Sequence, residues 1–460
     1  MAADDQGQPA DAWAAARARS SGVSYDQLLD TEIRPVPASL RRRSEPFLGS
    51  AGVPKTLFYD PAVVDLEVEK LWKKVWQMAC REEDIPRVGD SFVYDIVDLS
   101  ILVVRTAPDE IRAYHNQCLH RGRQLRSHNG RMSQIRCPFH GFTWNLDGSF
   151  KGIPSCAWDF PHVDPAMLAL PQVRVGTWGG FVFLNLDPDG PSLAEYMGEF
   201  PAVWGDWDLS GHVKVAHTSQ VVRANWKTTI EAFMESLHVQ ATHPQIAEST
   251  GDGNAQIDVF ADQHFSRMIT PFGVRSPELP AAAPEQTVVD NFMRARGSTL
   301  EGLPEALRQV PEGGTARAQL VAMLRRELHA VWKGAEDRML DTEILDNHQY
   351  FLFPNFEPHL AGPGRSTVYH VKPYGRDPDM CTFDVMVLDR IPEGQPRPPT
   401  AKVQHLGPDD QPGFLEQDWT NLKWVQKGLH GLQQPHINLG LYTESRVRHL
   451  HQLLDRYLSA

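Results

Sequence analysis

Two cysteine–histidine pairs flank an arginine-containing loop, and all four residues are of types that bind metals. Cys118 and His120 are separated by one residue, and Cys137 and His140 by two. Two thiolates and two imidazoles suit a tetrahedral zinc ion. They suit equally an iron–sulfur cluster with cysteines on one iron and histidines on the other, and the third possibility is that they bind nothing. The spacing favours the cluster, because zinc fingers and ribbons seldom combine a C-x-H turn with a C-x2-H turn.

A second group of candidate residues lies in "NWKTTIEAFMESLHVQATHPQ", where residues 227–243 are predicted to be helical. Glu235 and His238 are three apart, so they would share a helical face. His238 and His243 are five apart, about 140° round an ideal helix, so they converge only if the helix ends or bulges between them. Pro244 supplies such an end, because a residue before proline is disfavoured in the helical region. The spacing therefore predicts that both histidines meet where this helix ends.

The composition describes an ordinary globular chain of 460 residues with a formal net charge of −13. This charge argues against nucleic acid as a partner, since such affinity comes largely from Lys and Arg. Small molecules or proteins are the expected partners. No apolar run approaches the roughly 18 residues needed to span a bilayer, so no membrane association is expected. The N-terminus is acidic and lacks the apolar segment of a secretory signal, which predicts a cytoplasmic protein.

The five cysteines, an odd number, do not form a disulfide framework. Only Cys118 and Cys137 belong to a pattern. Cys80, Cys156 and Cys381 stand alone, and each is predicted to be a small buried hydrophobic residue.

Three regions follow from changes in composition and periodicity. Residues 1–55, rich in Ala, Arg, Ser and Pro, are predicted to be an arm with at most a short helix around Tyr25 to Asp30. Residues 56–195 contain short β-branched and aromatic runs between Gly, Pro and Asp, which indicate a small antiparallel β domain. Residues 196–460 alternate between strand and helix patterns. The chain is therefore predicted to be of the α+β class.

The third region contains an interruption at about 279–340 that is rich in Pro, Gly and Ala. Its segment "ARAQLVAMLRRELHAVW" places four apolar residues on one helical face. An insertion of this kind indicates a lid or helical cap. The residues of the predicted face are Leu320, Leu324, Leu328 and Val331.

The segments "CLHRG" and "CPFHGFTWNLDGSF" resemble the two loops of Rieske proteins, specifically those of Rieske-type ring-hydroxylating oxygenase α subunits. "EKLWKKVWQMACREEDIPRVGD" is similar to the family's segment before the Rieske domain. The resemblance implies a Rieske 2Fe-2S cluster on Cys118, His120, Cys137 and His140. It also implies a larger catalytic domain with a curved antiparallel sheet and helices, of the helix-grip or START-like type. Trp144 is expected to pack against the cluster loop.

The resemblance further implies a mononuclear Fe(II) held by His238 and His243, which match the family's E/D-x2-H-x4-H pattern. "LEQDWTNLKWVQKGL" resembles the family's E-D-x7-Q-x-G-L stretch, so Asp418 is the expected third ligand and Glu416 the fallback. Two histidines and a carboxylate form a facial triad with open positions for dioxygen. Without the resemblance, Asp418 near a helix start would be interpreted as an N-cap.

The family's head-to-tail trimer brings one subunit's cluster beside its neighbour's iron. By this resemblance Glu235 would join His238 within the chain to His140 of the partner subunit. Two departures are visible, since most relatives have Asp where this chain has Glu235, and Ala232 replaces the usual Asn. A small β subunit is a further possible component.

Five arginines crowd the cluster loops and predict either a solvated face or a docking rim for an acidic electron donor. They are Arg121, Arg123, Arg126, Arg131 and Arg136.

The resemblance implies a terminal oxygenase that takes electrons from NAD(P)H through a ferredoxin or flavin reductase. With O2 as co-substrate it would hydroxylate or oxidatively demethylate an organic, aromatic or hydrophobic substrate. The longer carboxylate of Glu235 resembles the arrangement in the branch of the family that oxidises trimethylammonium compounds. A monooxygenase of that type is therefore the alternative function. A Rieske electron carrier would need only the first motif, and a zinc-binding module would be colourless where a Rieske cluster is brown.

Overall fold

The computed structural model describes residues 9–18, 20, 22–205, 207–280, 282–298, 300–360, 362, 364–392, 394–410 and 415–460. These residues form two compact units. The larger unit comprises the chain up to Asp60, Met197–Val371 and Pro378–Ser459, and the smaller comprises Pro61–Tyr196 and Lys372–Asp377. The division into domains at 55/56 and 195/196 stays a prediction. Within the described residues, no helix combines the length and hydropathy needed to cross a membrane.

The described helices and strands, numbered along the chain, alternate between β-rich and helical stretches. The helices are α1 (Pro9–Ala18), α2 (Tyr25–Asp30), α3 (Ala38–Arg41), α4 (Pro61–Glu67), α5 (Leu193–Met197), α6 (Phe200–Trp204), α7 (Trp226–Glu231), α8 (Val239–Thr242), α9 (Glu285–Ala295), α10 (Glu305–Arg308), α11 (Ala316–Val331), α12 (Asp341–Leu345), α13 (Glu416–Gly431) and α14 (Ser445–Ser459). The strands are β1 (Val53–Pro54), β2 (Gln77–Arg81), β3 (Asp90–Ile96), β4 (Leu99–Ala107), β5 (Glu110–His115), β6 (Gly130–Arg131), β7 (Ile135–Arg136), β8 (Thr143–Trp144), β9 (Phe150–Gly152), β10 (Gln172–Trp178), β11 (Phe181–Asn185), β12 (His212–Val222), β13 (Gln256–Val259), β14 (Phe265–Thr270), β15 (Asn347–Leu352), β16 (Phe356–Leu360), β17 (Arg365–Tyr374), β18 (Asp377–Arg390), β19 (Gln404–Leu406) and β20 (His436–Ile437).

The smaller unit is built on a sheet with the strand order β2-β11-β10-β5-β4-β3-β6, whose pairs are antiparallel. A second, three-stranded sheet has the order β7-β8-β9. Leu102 and Val104 of β4 are fully buried and share a hydrophobic cluster with Tyr114 and Trp144. β-Branched and aromatic residues suit such strands because they pack well on a pleated surface. The predicted small antiparallel β domain is confirmed.

The larger unit contains a sheet with the order β13-β14-β15-β16-β17-β18-β12-β19. β19 departs from the antiparallel arrangement, because it pairs with β12 in parallel. α14 packs on β13 and β14, and its Leu450, Leu453 and Leu454 are almost completely buried. A helix with one apolar face covering an antiparallel sheet is the arrangement predicted for the catalytic domain, and the α+β fold class is confirmed.

The predicted insertion folds as helices α9 to α11, which share one hydrophobic cluster with the following helix α12. Leu320, Leu324 and Leu328 lie in it with between 0% and 2% of their surface exposed, as the helical periodicity predicted. Val331 is only partly buried at its edge. The insertion is therefore a small helical layer with a core of its own.

The N-terminal segment contains more helix than predicted. The expectation of at most a short helix around Tyr25 to Asp30 is wrong, because α1 and α3 are helical as well. α1 is rich in alanine, which has the highest intrinsic helix propensity. Its Trp13 lies 5.9 Å from the ring of Phe47 and 6.1 Å from that of Tyr442, measured between centroids. Tertiary contacts therefore stabilise a helix too short to form alone.

A buried ion pair fastens this segment to the large sheet. Arg267 and Asp258 have fully buried side chains and lie 2.6 Å apart. Arg267 also donates to the carbonyl oxygens of Ser39 and Arg42, both at 2.8 Å. Asp258 accepts a hydrogen bond of 3.0 Å from the backbone N–H of Ser44. The pair therefore supplies three hydrogen bonds to the backbone of residues 39–44.

We expect Arg267→Met to lower the free energy of unfolding by about 3–5 kcal/mol, because it leaves Asp258 buried without its partner. Urea unfolding measures the loss, and limited proteolysis should show faster cleavage near residues 39–44. Arg17→Met is the matched control, since Arg17 is half exposed and bonds Glu45 at 2.9 Å on the same segment. An exposed pair contributes at most about 1 kcal/mol. Equal losses in the two variants would contradict the buried anchor.

Candidate active site

The first cysteine–histidine pair follows β5 and the second joins β7 to β8, and both form the same kind of turn. The carbonyl of Cys118 accepts from the N–H of Gly122 at 2.9 Å, and that of Cys137 from the N–H of Gly141 at 3.0 Å. In both loops the cysteine N–H donates to the carbonyl five residues further on. Gly122 and Gly141 have φ values of 75° and 76°, in the left-handed region that favours glycine. The two loops are therefore matched in backbone shape.

The four predicted cluster ligands converge. Cys118 and Cys137 are 3% and 2% exposed, and the rings of His120 and His140 lie 4.8 Å apart between centroids. His120 stacks on Phe142 at 4.6 Å, whereas His140 is exposed. Buried thiols with imidazoles at the surface fit a cluster bound by cysteines on its inner iron and histidines on its outer one. Burial raises the pKa of the Cys118 thiol, so binding iron must displace its proton.

The surroundings of these loops confirm one expectation and correct another. Trp144 is fully buried, shares a hydrophobic cluster with both cysteines, and donates from Nε1 to the carbonyl of Leu168 at 2.6 Å. Cys80 and Cys381 are buried as predicted, but Cys156 is exposed. Cys156 has a left-handed backbone with φ of 55° in a loop outside the regular strands. No strand or helix there buries its side chain.

The helix predicted over 227–243 is wrong in its middle, since α7 ends at Glu231 and α8 begins at Val239. The carboxylate of Glu235 accepts from the backbone N–H of Leu237 and, at 3.1 Å, from that of His238. The Oγ of Ser236 donates to the carbonyl of Asp252 at 2.8 Å. The carboxylate of Glu235 thus satisfies two N–H groups that a continuous helix would bond internally, and Ser236 ties the turn to the segment at Asp252. Glu235 and His238 therefore meet across a turn and do not share a helical face.

The two predicted iron-binding histidines flank α8. His238 is its N-cap and His243 its C-cap, and the φ and ψ of His243 are −121° and 50°, outside the helical region. The helix end predicted at Pro244 is thus confirmed. The two imidazole centroids lie 5.3 Å apart.

Asp418 joins them from α13, where it occupies the third helical position behind Leu415 as N-cap. The Oδ1 of Asp418 lies 3.0 Å from Nε2 of His243 and 3.8 Å from Nε2 of His238. One potential ligand atom from each of the three residues falls within 4.8 Å of the others. Asp418 is 6% exposed, whereas Glu416 is exposed. The structure therefore places Asp418, and not Glu416, with the histidines, and Asp418 is not an N-cap.

Hydrogen bonds fix α13 relative to the histidine segment, although the two are distant in sequence. The buried Oε1 of Gln426 accepts from the backbone N–H of Asn225, just before α7, at 2.9 Å. Asn421 donates from Nδ2 to Oγ1 of Thr242 in α8 at 3.1 Å. Asp418 is therefore held opposite the histidines by contacts along its own helix.

A second layer of side chains sets the orientation of both imidazoles. Nδ1 of His238 lies 2.6 Å from Oε1 of Glu235, and Nδ1 of His243 lies 2.9 Å from Oε1 of Gln417. Gln245 donates to the same oxygen of Gln417 at 2.7 Å. Holding Nδ1 directs Nε2 toward a metal, as is usual for histidine ligands. Asp418 raises the pKa of His243 by hydrogen bonding to it.

The three residues border a cavity of about 750 Å³. Its wall includes the aromatic rings of Phe233, Phe272 and Tyr369, and the end of α9 contributes Arg294 and Ala295. The insertion therefore helps to enclose it. A site of two imidazoles and one carboxylate beside an open cavity fits a non-haem Fe(II) with free positions for dioxygen and substrate nearby.

Fold and sites together define a Rieske-type protein with a second, mononuclear metal site. Residues 75–165 match the family model of the Rieske 2Fe-2S domain. Residues 207–460, more than half of the chain, match that of the ring hydroxylating alpha subunit (catalytic domain). The chain belongs to the family of Rieske-type ring-hydroxylating oxygenase α subunits.

Three individual relatives share 17–26% sequence identity with this chain. The glycine betaine monooxygenase oxygenase subunit of Pseudomonas aeruginosa is 26% identical over 253 residues, which cover 54% of this chain and 57% of the relative. The chain spans about half the length of the curated relatives it matches. A quaternary ammonium Rieske monooxygenase solved with L-carnitine has a TM-score of 0.63 at 17% identity, covering 90% of this chain and 99% of that one. Naphthalene 1,2-dioxygenase from Rhodococcus sp., bound to indole, has a TM-score of 0.59 at 21% identity, covering 88% and 94%.

Proposed function

We propose that the chain is a terminal oxygenase, with a Rieske 2Fe-2S cluster on Cys118, His120, Cys137 and His140 and with Fe(II) on His238, His243 and Asp418. One observation supports this above all: the three iron-site residues meet beside a cavity of about 750 Å³. A Rieske electron carrier would need neither the triad nor the cavity. A zinc-binding module would not need the second site.

The metals would supply the oxidation, with the cluster passing single electrons and the mononuclear iron activating dioxygen. The chain's own residues hold and orient the groups around that chemistry. Glu235 and Gln417 keep Nε2 of the two histidines facing Asp418. Phe233, with 7% of its surface exposed, and Tyr369, with 9%, close one side of the cavity against water.

An uncharged aromatic or otherwise hydrophobic compound is the first candidate substrate, because the cavity has an aromatic wall of Phe233, Phe272 and Tyr369. A methylated ammonium compound is the second. Aromatic faces attract such cations, Glu235 and Glu416 line the same cavity, and a relative is a glycine betaine monooxygenase. Either substrate would be hydroxylated or demethylated.

The test is dioxygen uptake by the iron-loaded protein with NADH and a surrogate reductase. The panel should contain polycyclic aromatic compounds, aromatic acids and methylated amines. Hydroxylated products formed under ¹⁸O₂ should contain the label, whereas demethylation of an amine should release formaldehyde in step with the demethylated product. We expect uptake with at least one class and none with Asp418→Ala. Equal uptake by wild type and Asp418→Ala, or neither a labelled hydroxylated product nor formaldehyde from any class, would contradict the proposed function.

A head-to-tail homotrimer, with or without a small β subunit, is the proposed assembly. Leu237, which follows Glu235 by two residues, is 60% exposed, and Phe139, next to His140, is 55% exposed. Apolar side chains exposed beside functional residues often mark contacts between proteins. We propose that these two side chains are covered when His140 of the partner subunit approaches Glu235.

The proposed electron donor is an acidic ferredoxin or a reductase domain that docks on the arginine rim. Arg121, Arg123, Arg131 and Arg136 are exposed in the cluster loops, and Arg126 is partly buried. The guanidinium of Arg121 lies 5.1 Å above the ring of Phe139, so this member also braces the loop.

We expect reduction of the cluster by such a donor to slow as salt rises through about 0.15 M, where the screening length is roughly 8 Å. Arg131→Glu should slow reduction by about tenfold at low salt without changing the cluster spectrum, because surface charge mainly sets association rates. Arg308→Glu makes the same charge change on α10 and serves as control. Stopped-flow rates that are independent of salt and equal in all three proteins would show that the arginines are only a solvated face.

A further inference from the structure

Three adjacent strands contribute four uncharged polar side chains to the iron-site cavity, next to one apolar side chain, Met268 of β14. Thr270 of β14 lies opposite Asn347 of β15, and Gln349 of β15 lies opposite His359 of β16. All four line the cavity. Directly opposite residues of antiparallel strands present neighbouring side chains to the same face. A cavity for plain hydrocarbons would have apolar residues here, since polar groups in a ligand site serve to fix orientation.

His359 stands out among these four because its Nε2 is buried and has no hydrogen-bond partner among the described residues. The side chain is 6% exposed. Oε1 of Glu357 is 4.0 Å from this nitrogen, which is too long for a hydrogen bond. A buried polar atom without a partner is destabilising and calls for a specific explanation. A ligand group in the cavity supplies one.

The surroundings of His359 also determine its charge. Arg446 and Glu357, both fully buried, form an ion pair of 3.0 Å beside it. Burial, together with the positive charge of Arg446, lowers the pKa of His359 to about 3. The imidazole is therefore neutral at physiological pH and offers one donor and one acceptor nitrogen. It can bind a hydroxyl, amide or carbonyl group, but it provides no charge to pair with an ion.

We infer that His359 holds an uncharged hydrogen-bonding group of the substrate while the apolar part lies along Phe233 and Tyr369. The substrate class is thus a neutral, mainly apolar compound with a hydroxyl, amide or carbonyl substituent. This rests on the proposed function and makes its first substrate candidate more specific. His359 is a specificity-determining residue in this assignment.

The experiment compares two probes of nearly equal shape, 1-naphthol and 1-methylnaphthalene, by equilibrium dialysis against the anaerobic, iron-loaded full chain. The quantity is the ratio of the Kd of 1-methylnaphthalene to that of 1-naphthol. We expect His359→Leu to lower this ratio about tenfold, because the hydroxyl loses its partner. His359→Gln, which keeps a donor and an acceptor, should lower it by less than about threefold.

The matched control is His449→Leu. His449 is 1% exposed and its Nε2 likewise has no described partner, but it lies on α14 and not among the residues that line the cavity. For the His449→Leu protein, the ratio of the two Kd values should equal that of wild type. If His359→Leu does not fold, His359→Phe replaces it, since phenylalanine keeps a ring without nitrogen.

The inference is overturned if the ratio is unchanged in the folded His359 variant, if His449→Leu changes it equally, or if wild type binds neither probe. Dioxygen uptake is measured separately. Labelled product together with an unchanged ratio would overturn the inference and leave the proposed oxygenase function intact. A changed ratio without any dioxygen uptake would retain His359 as a ligand-binding residue and overturn the oxygenase function.

Discussion

Cys137→Ser will abolish the visible absorbance of the Rieske cluster and leave the mononuclear iron in place, whereas His238→Ala will do the reverse. Thiolate is the ligand that these clusters require, and a serine oxygen replaces it poorly. His238 is the N-cap of α8 in the larger unit, and Cys137 lies in a loop of the smaller one. Each substitution therefore removes a metal ligand from one site only. Absorbance spectra, iron counts and electron paramagnetic resonance of the reduced protein distinguish the outcomes.

Cys156→Ser is the control for the cluster substitution. The thiol of Cys156 is exposed and lines a separate cavity beside the cluster loops, but Cys156 lies outside both cysteine–histidine pairs. Its spectrum should match that of wild type. Loss of cluster colour in a folded His238→Ala protein would contradict two separate sites, and loss of colour in Cys156→Ser would show that the donor set is misassigned.

The cluster site was predictable because its information is local. Cys118 and His120, like Cys137 and His140, lie within single turns next to short strands, so their spacing favours a metal cluster, and the resemblance to Rieske loops implies which cluster it is. The iron site was predictable only in part. The convergence of His238 and His243 follows from spacing and from Pro244, but Asp418 is distant in sequence and was identified only through resemblance.

Other features depend on tertiary contacts that no local pattern indicates. The break in the helix at Glu235 arises because its carboxylate bonds backbone N–H groups that helix propensity assigns to carbonyls. Gln417 adjoins Asp418 in sequence, yet nothing in its neighbourhood signals that it faces Nδ1 of His243. The helix α1 was missed because it is stabilised by packing of its Trp13 against Tyr442, a residue distant in sequence.

The second large effect is expected from substitution of Glu235, which contacts backbone N–H groups and His238 and is proposed to contact a partner subunit. Its side chain is 11% exposed and lies 2.6 Å from Nδ1 of His238. The proposed bridge needs one carboxylate to accept from His238 and from His140 of the partner subunit at once. Glutamine has the same shape but no charge, and one of its two terminal atoms is a donor.

We therefore expect Glu235→Gln to keep cluster and iron at wild-type levels while lowering substrate-coupled turnover about 100-fold, the upper range for groups that orient metal ligands. Reoxidation of the pre-reduced cluster, followed by stopped flow with dioxygen and substrate, should slow by a similar factor. Glu327→Gln removes the same charge from an exposed pair with Arg296 and is the control. Loss of iron in Glu235→Gln would instead assign the carboxylate to metal binding.

Glu235→Asp decides whether the longer side chain is fitted to this site. Aspartate keeps the charge but is shorter by one methylene, so its carboxylate cannot both cap the turn at His238 and reach equally far toward a partner subunit. We expect turnover between those of wild type and Glu235→Gln, with both metals retained. Full activity in Glu235→Asp would show that charge alone matters. Full activity in Glu235→Gln would remove the bridge from the mechanism, because that variant lacks both the negative charge and the second acceptor oxygen that the two imidazoles are proposed to share.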